Sequence, residues 1–582
     1  MLTNPRLSME LSIRLGLASI ALCAGLAMPA VAQSRLSAPP RGESQAPASE
    51  GGLAAPSAAN QLMSLSDADA VFLSSADAPQ DDSVPRLRPG NGFAAREVSP
   101  GPIGDPRAPG YGAKPMARWN TVPFQTVANM MNVGVVAFHI NGIDRVEFSA
   151  NGGPWVAATE AKLNPQTRTM EYFAQLRARD FQDAPVEIRA IVYPKVGTPR
   201  VLAGSLAEAR SFGRNSGEHS MWLTSNGNRT LRETVRFVSP TGSDESGNGT
   251  RANPFATIYK AASSIQQANG NADGGMVYLL EGEHTYPGTA RGPLPVTRDR
   301  YLTIASAPGT AKGAVKIVRG QSGGMRNKLT AFRNVAFVAA SVADQNILRA
   351  NSVIEDYLWL DGCKMIGPGR ATDGTWGGGF EFTAVTNSMQ TNARGGFSGD
   401  ITRNVRIAVI GSDAFSGKNG LIVNCKVDRI DGSGTLNHPD VLQYQHARDQ
   451  GPIENCIVYG LRSKTGTRNA GQGLYAGREI GLKDVAYVDV QLNNQYYGAN
   501  EARAWQFMGP VNHMLLKDSV IVGGHHWRSD TGFTARDVVV ENTYKDEARS
   551  QFFVPFPDRT TAPARMTAPW TSPLGVVYRE GR

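Results

Sequence analysis

A short phrase recurs along the second half of this chain, and it limits the fold more than any other feature. Leu421-Ile-Val-Asn424-Cys425-Lys-Val427 is soon followed by Pro452-Ile-Glu-Asn455-Cys456-Ile-Val458. Looser versions surround the pair, at Leu358-Trp-Leu-Asp361-Gly-Cys363, Thr402-Arg-Asn404-Val405, Leu482-Lys-Asp484-Val485, Leu516-Lys-Asp518-Ser519-Val520 and Ala535-Arg-Asp537-Val538. Each is a brief β-branched run carrying one Asn or Asp. A unit of roughly thirty residues made of one strand and turns cannot bury its apolar side alone, so it must stack on copies of itself.

Because the runs are rich in β-branched residues and punctuated by glycine, the stacking unit is strand-based. The expected fold is all-β, a right-handed parallel β-helix over residues 231–556. Stacking like over like predicts an amide ladder of Asn424 on Asn455 and a small apolar column of Cys425 on Cys456.

The rest of the 582 residues divides by texture. Residues 1–32 read as a secretion signal: Arg6 and Arg14, an apolar run from Leu15 to Ala27 too short to span a bilayer, then Ala30-Val31-Ala32. The mature protein is therefore expected in the periplasm or outside the cell. No later stretch is apolar enough for a transmembrane anchor. Residues 33–115 are rich in Ala, Pro, Ser and Gly and read as a disordered linker. Over residues 116–230, alternating strands such as Ile143-Asp-Arg-Val146-Glu-Phe148 meet Asn141-Gly142 and Gly152-Gly153 turns, the pattern of a small Ig-like β-sandwich. Its His139 reads as a packed histidine, and the domain as a positioning or binding module. Residues 557–582 form a Pro-containing tail.

Three cysteines remain after the signal, Cys363, Cys425 and Cys456, all within the repeat phrase. They lack metal-site spacing and read as buried packing thiols. Net charge is +8, a mild bias toward an acidic polymer, with no motif pointing to nucleic acid.

The opening of the repeat region carries a specific resemblance. Arg236-Phe-Val-Ser-Pro240 runs into the Gly/Asp-rich stretch Thr241 to Thr250, then Pro254-Phe255-Ala-Thr257-Ile258, then Val277-Tyr-Leu-Leu280 and Glu281-Gly282-Glu-His-Thr285-Tyr286. This order resembles the first coil of secreted β-helix proteins of the pectin-lyase-like superfamily. The resemblance implies a capping helix from Pro254 to Gln267 over the open end, and a carbohydrate-active protein whose extended substrate follows the coils. The loop Gly242 to Thr250 reads as a turn, since its acids lack the spacing of a calcium loop. The superfamily hosts lyases, hydrolases, epimerases and non-catalytic adhesins, so it leaves the reaction open.

Candidate chemistry gathers in a few places. Asp413 and Asp440 stand close to one coil apart in sequence, and Asn437-His438-Pro439-Asp440 leads to Gln443. Leu442-Gln443, Leu474-Tyr475 and Trp505-Gln506 follow one another at almost equal spacings, again near one coil, with Arg478 and Arg503 close by. Alternation places His438 and Asp440 on one side and Gln443 on the other unless a bulge intervenes. Trp376, among glycines in an interval longer than one coil, is expected to overhang a groove and stack on sugar. The cluster Gly523-Gly-His525-His526-Trp527 is a surface turn, a groove lining or a metal site.

The leading expectation is a polysaccharide lyase on an acidic, uronate-containing polymer. His438 or Tyr475 serves as base or acid, and Arg478, or calcium held by Asp413 and Asp440, neutralises the uronate. Gln443, Trp376, Gln506 and Arg503 bind the chain. The alternatives are a glycoside hydrolase using Asp413 with Asp440, and a non-catalytic polysaccharide-binding or adhesive β-helix.

Overall fold

The computed structural model describes residues 78–90, 100–203, 218–231, 233–269, 274–286, 300–319, 329–339, 357–367, 383–393, 395–397, 399–416, 420–430, 440–444, 452–464, 473–476, 481–493, 503–507, 509–522, 524–527 and 534–545. The chain divides into two compact units, Met1–Met63 and Ser64–Arg582, and all of these residues belong to the second.

From Thr234–Val238 to Tyr544–Lys545 the chain winds as a parallel β-helix. One wall is a twelve-stranded parallel sheet, a second has eleven strands, and a third, shorter sheet has five. Sequential strands pair across coils, as Leu421–Val423 does with Ile401–Arg403 before it and Ile453–Tyr459 after it. The core runs continuously inside the three walls, from Val238 and Leu279 through Phe332, Leu360, Val427 and Leu442 to Leu516 and Ile521.

The helix Ile258–Ala268 closes the first end, burying Ile258, Ala261, Ala262 and Ile265. Thr257 caps it, its hydroxyl accepting from Lys260 N at 3.1 Å. Asp244, in the Gly/Asp-rich loop, accepts from Ala256 N and Thr257 N and from the Thr257 hydroxyl. That loop is a helix brace.

The corner between the twelve- and eleven-stranded sheets explains the recurring Asn. Asn334, Gly362, Asn387, Asn404, Asn424, Gly460, Asp489, Asp518 and Asn542 occupy one register position, all with φ between 44° and 71°. A left-handed residue turns the strand sharply, and Asn, Asp and Gly tolerate it best. Some amides ladder here: Asn404 Nδ2 donates to Asn387 Oδ1 at 3.1 Å, and Asn387 Nδ2 to Asp361 Oδ1 at 2.8 Å.

The expected stacking of Asn424 on Asn455 does not occur. Leu421 pairs with Ile457, so the coil step here is longer than the interval between the two phrases, and Asn424 lies against Gly460. A Cβ at position 460 would sit 2.7 Å from Asn424 Oδ1, which is why glycine stands there. Asn455 begins a second left-handed column inside the strands, continued by Asp484, His513 and Asp537. Cys425 and Cys456 consequently lie in different columns, while Cys363 and Cys425 share the one after the corner. All three thiols are free and buried.

Residues 116–225 form two packed sheets. One has four strands and includes Met116–Trp119, Met130–Phe138 and Thr169–Arg177; the other is built around Ile143–Ala150, Pro185–Pro194 and Met221–Ser225. Val133, Val146, Phe148, Leu176, Ile188 and Leu223 fill the space between them. Residues 78–90 and 100–115, within the stretch expected to be linker, pack on this sandwich. Leu87 is fully buried in this core and its N–H donates to Gln175 O at 2.9 Å, and Ile103 bridges to Gly197.

The sandwich lies on the outer face of the twelve-stranded sheet. Val122, Phe124 and Trp222 pack on Tyr301, Leu329, Tyr357, Trp359 and Ile401. Met116 and Val136 pack on Leu421, Val423, Ile457, Ala486 and Leu515. The in-strand left-handed column supplies the polar contacts. Asn455 behaves like a peptide group toward the edge strand Met116–Trp119: its Oδ1 accepts from Ala117 N at 2.7 Å and its Nδ2 donates to Ala117 O at 2.8 Å. Asp484 accepts from Arg200 Nη2 at 2.6 Å and contacts His513 Nδ1 at 2.8 Å. The His513 ring lies 4.7 Å from that of His139.

Candidate functional site

With one wall covered, the five-stranded sheet is where the predicted polar residues gather. Its strands are Phe415–Ser416, Leu442–Tyr444, Leu474–Ala476, Arg503–Phe507 and Gly524–Trp527. Phe415, Leu442, Tyr444, Leu474 and Ala476 are core residues. Gln443, between two fully buried neighbours, is half-buried, as alternation requires. The register then runs Ser416, Gln443, Tyr475, Gln506 and His526 in one line down five coils. The near-equal spacings of Gln443, Tyr475 and Gln506 in the sequence are thus coil steps. Arg503 pairs with Gly524 at the start of its strand, where the register shifts.

Asp413 and Asp440 occupy neighbouring coils just before this sheet. Ala414 N donates to Asp440 O at 2.8 Å, and Asp440 N donates to Asp413 Oδ1 at 3.0 Å. Both residues are buried, Asp440 completely. An Asp413 oxygen is therefore committed to the backbone of the next coil, a brace at the sheet edge. Among the described residues no group of three or more His, Cys, Asp or Glu side chains is placed to hold a metal ion. His438, Arg478 and Trp376 lie outside the described residues.

Sequence reasoning did not single out Ser416, and it kept His526 in a separate cluster rather than in this line. The steps from Ser416 to Gln443 and from Gln506 to His526 are both shorter than those between them, the last one markedly so. A search at the spacing that links Gln443, Tyr475 and Gln506 therefore passes over Ser416 and His526. A second polar site was invisible in the sequence because two domains build it. Arg118, Trp119 and His219 from the sandwich and Tyr357 and Asp400 from the solenoid line a cavity of about 20 Å³. Burial holds the His219 imidazole down at about 4. This space is on the scale of one water, too small for a sugar.

Glu171 and Arg403 are likewise structural. Asn120 Nδ2 donates to Glu171 Oε2 at 2.7 Å, and Arg403 Nη1 donates to Asn120 Oδ1 at 2.8 Å. Burial raises the Glu171 carboxyl, and hydrogen bonds from Thr167, Asn120 and Asn164 oppose that shift.

No protein-family model matches the chain, and no curated protein does. Among solved structures it is similar to the catalytic domain of a GH87 alpha-1,3-glucanase in complex with nigerose, at 12% identity over 74% of this chain and 87% of that one, with a TM-score of 0.27. A variant of that domain with tetrasaccharides gives 12% identity over 75% and 88%, with a TM-score of 0.23. ORF18 of Geobacillus virus E2 gives 13% over 62% and 68%, with a TM-score of 0.20. Scores this low do not establish a common fold, and the parallel β-helix stands on the strand register itself.

Proposed function

We propose that this is an exported polysaccharide-cleaving enzyme that lays an extended, uronate-containing chain along the five-stranded sheet and cuts it by β-elimination. The line of Ser416, Gln443, Tyr475, Gln506 and His526 supports this reading. It offers one polar register position per coil, in steps of about 4.8 Å, comparable to one sugar of an extended chain. Elimination needs a base for the proton next to the uronate carboxylate, a cation to stabilise the resulting charge, and an acid for the leaving oxygen. Tyr475 and His438 are assigned the proton transfers and Arg478 the charge. Gln443, Gln506, Arg503 and Trp376 position the sugars. The sandwich packs on the twelve-stranded sheet, a different wall from the one proposed to hold the polymer.

The stacked carboxylates Asp413 and Asp440 favour a second reading, glycoside hydrolysis. Their burial and the Asp440 N–H on Asp413 weigh against it, because a hydrolase's acid and base must both reach the scissile bond.

Incubation with polygalacturonate and alginate, following ultraviolet absorbance of unsaturated products together with reducing ends, separates the readings. Elimination raises both signals, and Tyr475→Phe is expected to lower kcat by about 100-fold or more. Reducing ends without absorbance replace elimination with hydrolysis. Silence on acidic and neutral polymers alike, with binding retained, replaces both with a binding role.

A further inference from the structure

The eleven-stranded sheet carries a line of cations. Lys364 pairs with Met389, Met389 with Arg406, Arg406 with Lys426 and Lys426 with Arg462, so four of five consecutive coils place a basic residue at one register position. Like charges in adjacent coils, about 4.8 Å apart, repel one another unless something compensates. Two acids do so in part. Asp428 pairs with Lys426 at 2.7 Å and also with Arg406, and Asp489 Oδ1 accepts from Arg462 Nη2 at 2.6 Å.

Two observations show that the compensation is incomplete. Lys364 is exposed and has no ion pair among the described residues. Arg462, whose side chain is only 12% exposed, keeps a buried Nε–H with no acceptor among them.

We propose that this strip is a second binding surface, distinct from the five-stranded sheet, for an extended carboxylated polysaccharide lying along the solenoid axis. A polyuronate presents one carboxylate per sugar, a repeat comparable to the coil spacing. Successive carboxylates meet Lys364, Arg406, Lys426 and Arg462, and arginine's planar fork suits a carboxylate acceptor. The strip holds polymer and does no chemistry, so the proposal is independent of whether the protein cleaves its ligand.

The test is affinity electrophoresis of the whole chain in polygalacturonate, with a neutral glucan as control. Lys364→Glu is expected to weaken binding to polygalacturonate by about fivefold, and Asp428→Asn to tighten it by about threefold. Both differences should shrink as salt rises. Misfolding cannot produce the gain in Asp428→Asn, so that variant guards the test, and thermal melts verify Lys364→Glu. Unchanged affinity in both strip variants overturns the proposal, as does equal retention in the neutral glucan.

Discussion

The contact between Arg200 and Asp484 joins the sandwich to the solenoid, and breaking it should cost far more than a surface ion pair. The side chains are 2% and 4% exposed and meet at 2.6 Å. Arg200 also donates to Glu218 at 2.6 Å and to Pro115 O at 2.5 Å. Replacing it with methionine keeps much of the volume but strips a buried carboxylate of its guanidinium, leaving Asp484 with His513. Removing one partner of a buried pair costs about 3–5 kcal/mol, whereas replacing both by apolar groups is often close to neutral. Arg200→Met should therefore lose about 3–5 kcal/mol in urea unfolding followed by tryptophan fluorescence. The double variant Arg200→Met/Asp484→Leu should recover most of that loss. If the single variant lies within about 1 kcal/mol of wild type, the exposed-pair expectation applies and the reasoning fails. A double variant as damaged as the summed singles would also refute it.

Three further outcomes are expected. Burial, then the neighbouring His513, depresses the His139 imidazole to about 3. Between that value and the ordinary 6.5 the unfolded chain binds the proton first, so stability is full above about pH 6.5 and falls by up to about 1.4 kcal/mol per unit as pH drops. Unfolding midpoints from about pH 7 to 5 should show this, and His139→Asn should flatten the slope; an identical slope in the variant sinks the assignment. Asn424, at φ 50°, should tolerate glycine, whereas Asn424→Val should lose about 1–2 kcal/mol by denaturation. The Cys363 and Cys425 thiols, pushed up to about 12 by burial, should react with a thiol reagent only after unfolding; rapid labelling of native protein contradicts their packing.

The solenoid was legible because its corner imposes a backbone demand that few residues meet. A left-handed turn in each coil recruits Asn, Asp or Gly, and that recurrence is visible without alignment. Register was less legible for the same reason. Asn455, Asp484 and His513 adopt the same conformation within strands, where it serves the domain contact, and nothing local separates them from the corner residues. Stacking of Gln443, Tyr475 and Gln506 followed from their spacing, since coils there keep nearly constant length. Burial of Asp413 and Asp440 did not, because it depends on how neighbouring coils stack, as in the Asp440 N–H that reaches Asp413. The packing of Val84 and Leu87 was hidden too, since they are isolated apolar residues among Pro, Asp, Ser and Arg.

The edge strand of the sandwich and the segment after it run across the coils. Phe124 packs on Tyr357, Asn120 meets Arg403, Ala117 meets Asn455, and farther along Arg200 meets Asp484 and His139 meets His513. Coil proteins ordinarily gain or lose units freely, because each touches only its neighbours. Here the sandwich acts as a gauge laid along the stack. A coil inserted or deleted between positions 357 and 513 would throw every later contact out of step, whereas one added beyond the strand Val511–Lys517 would disturb none of these five. The number of coils is thus fixed by an element outside the repeat, and length variation among relatives should fall at the far end.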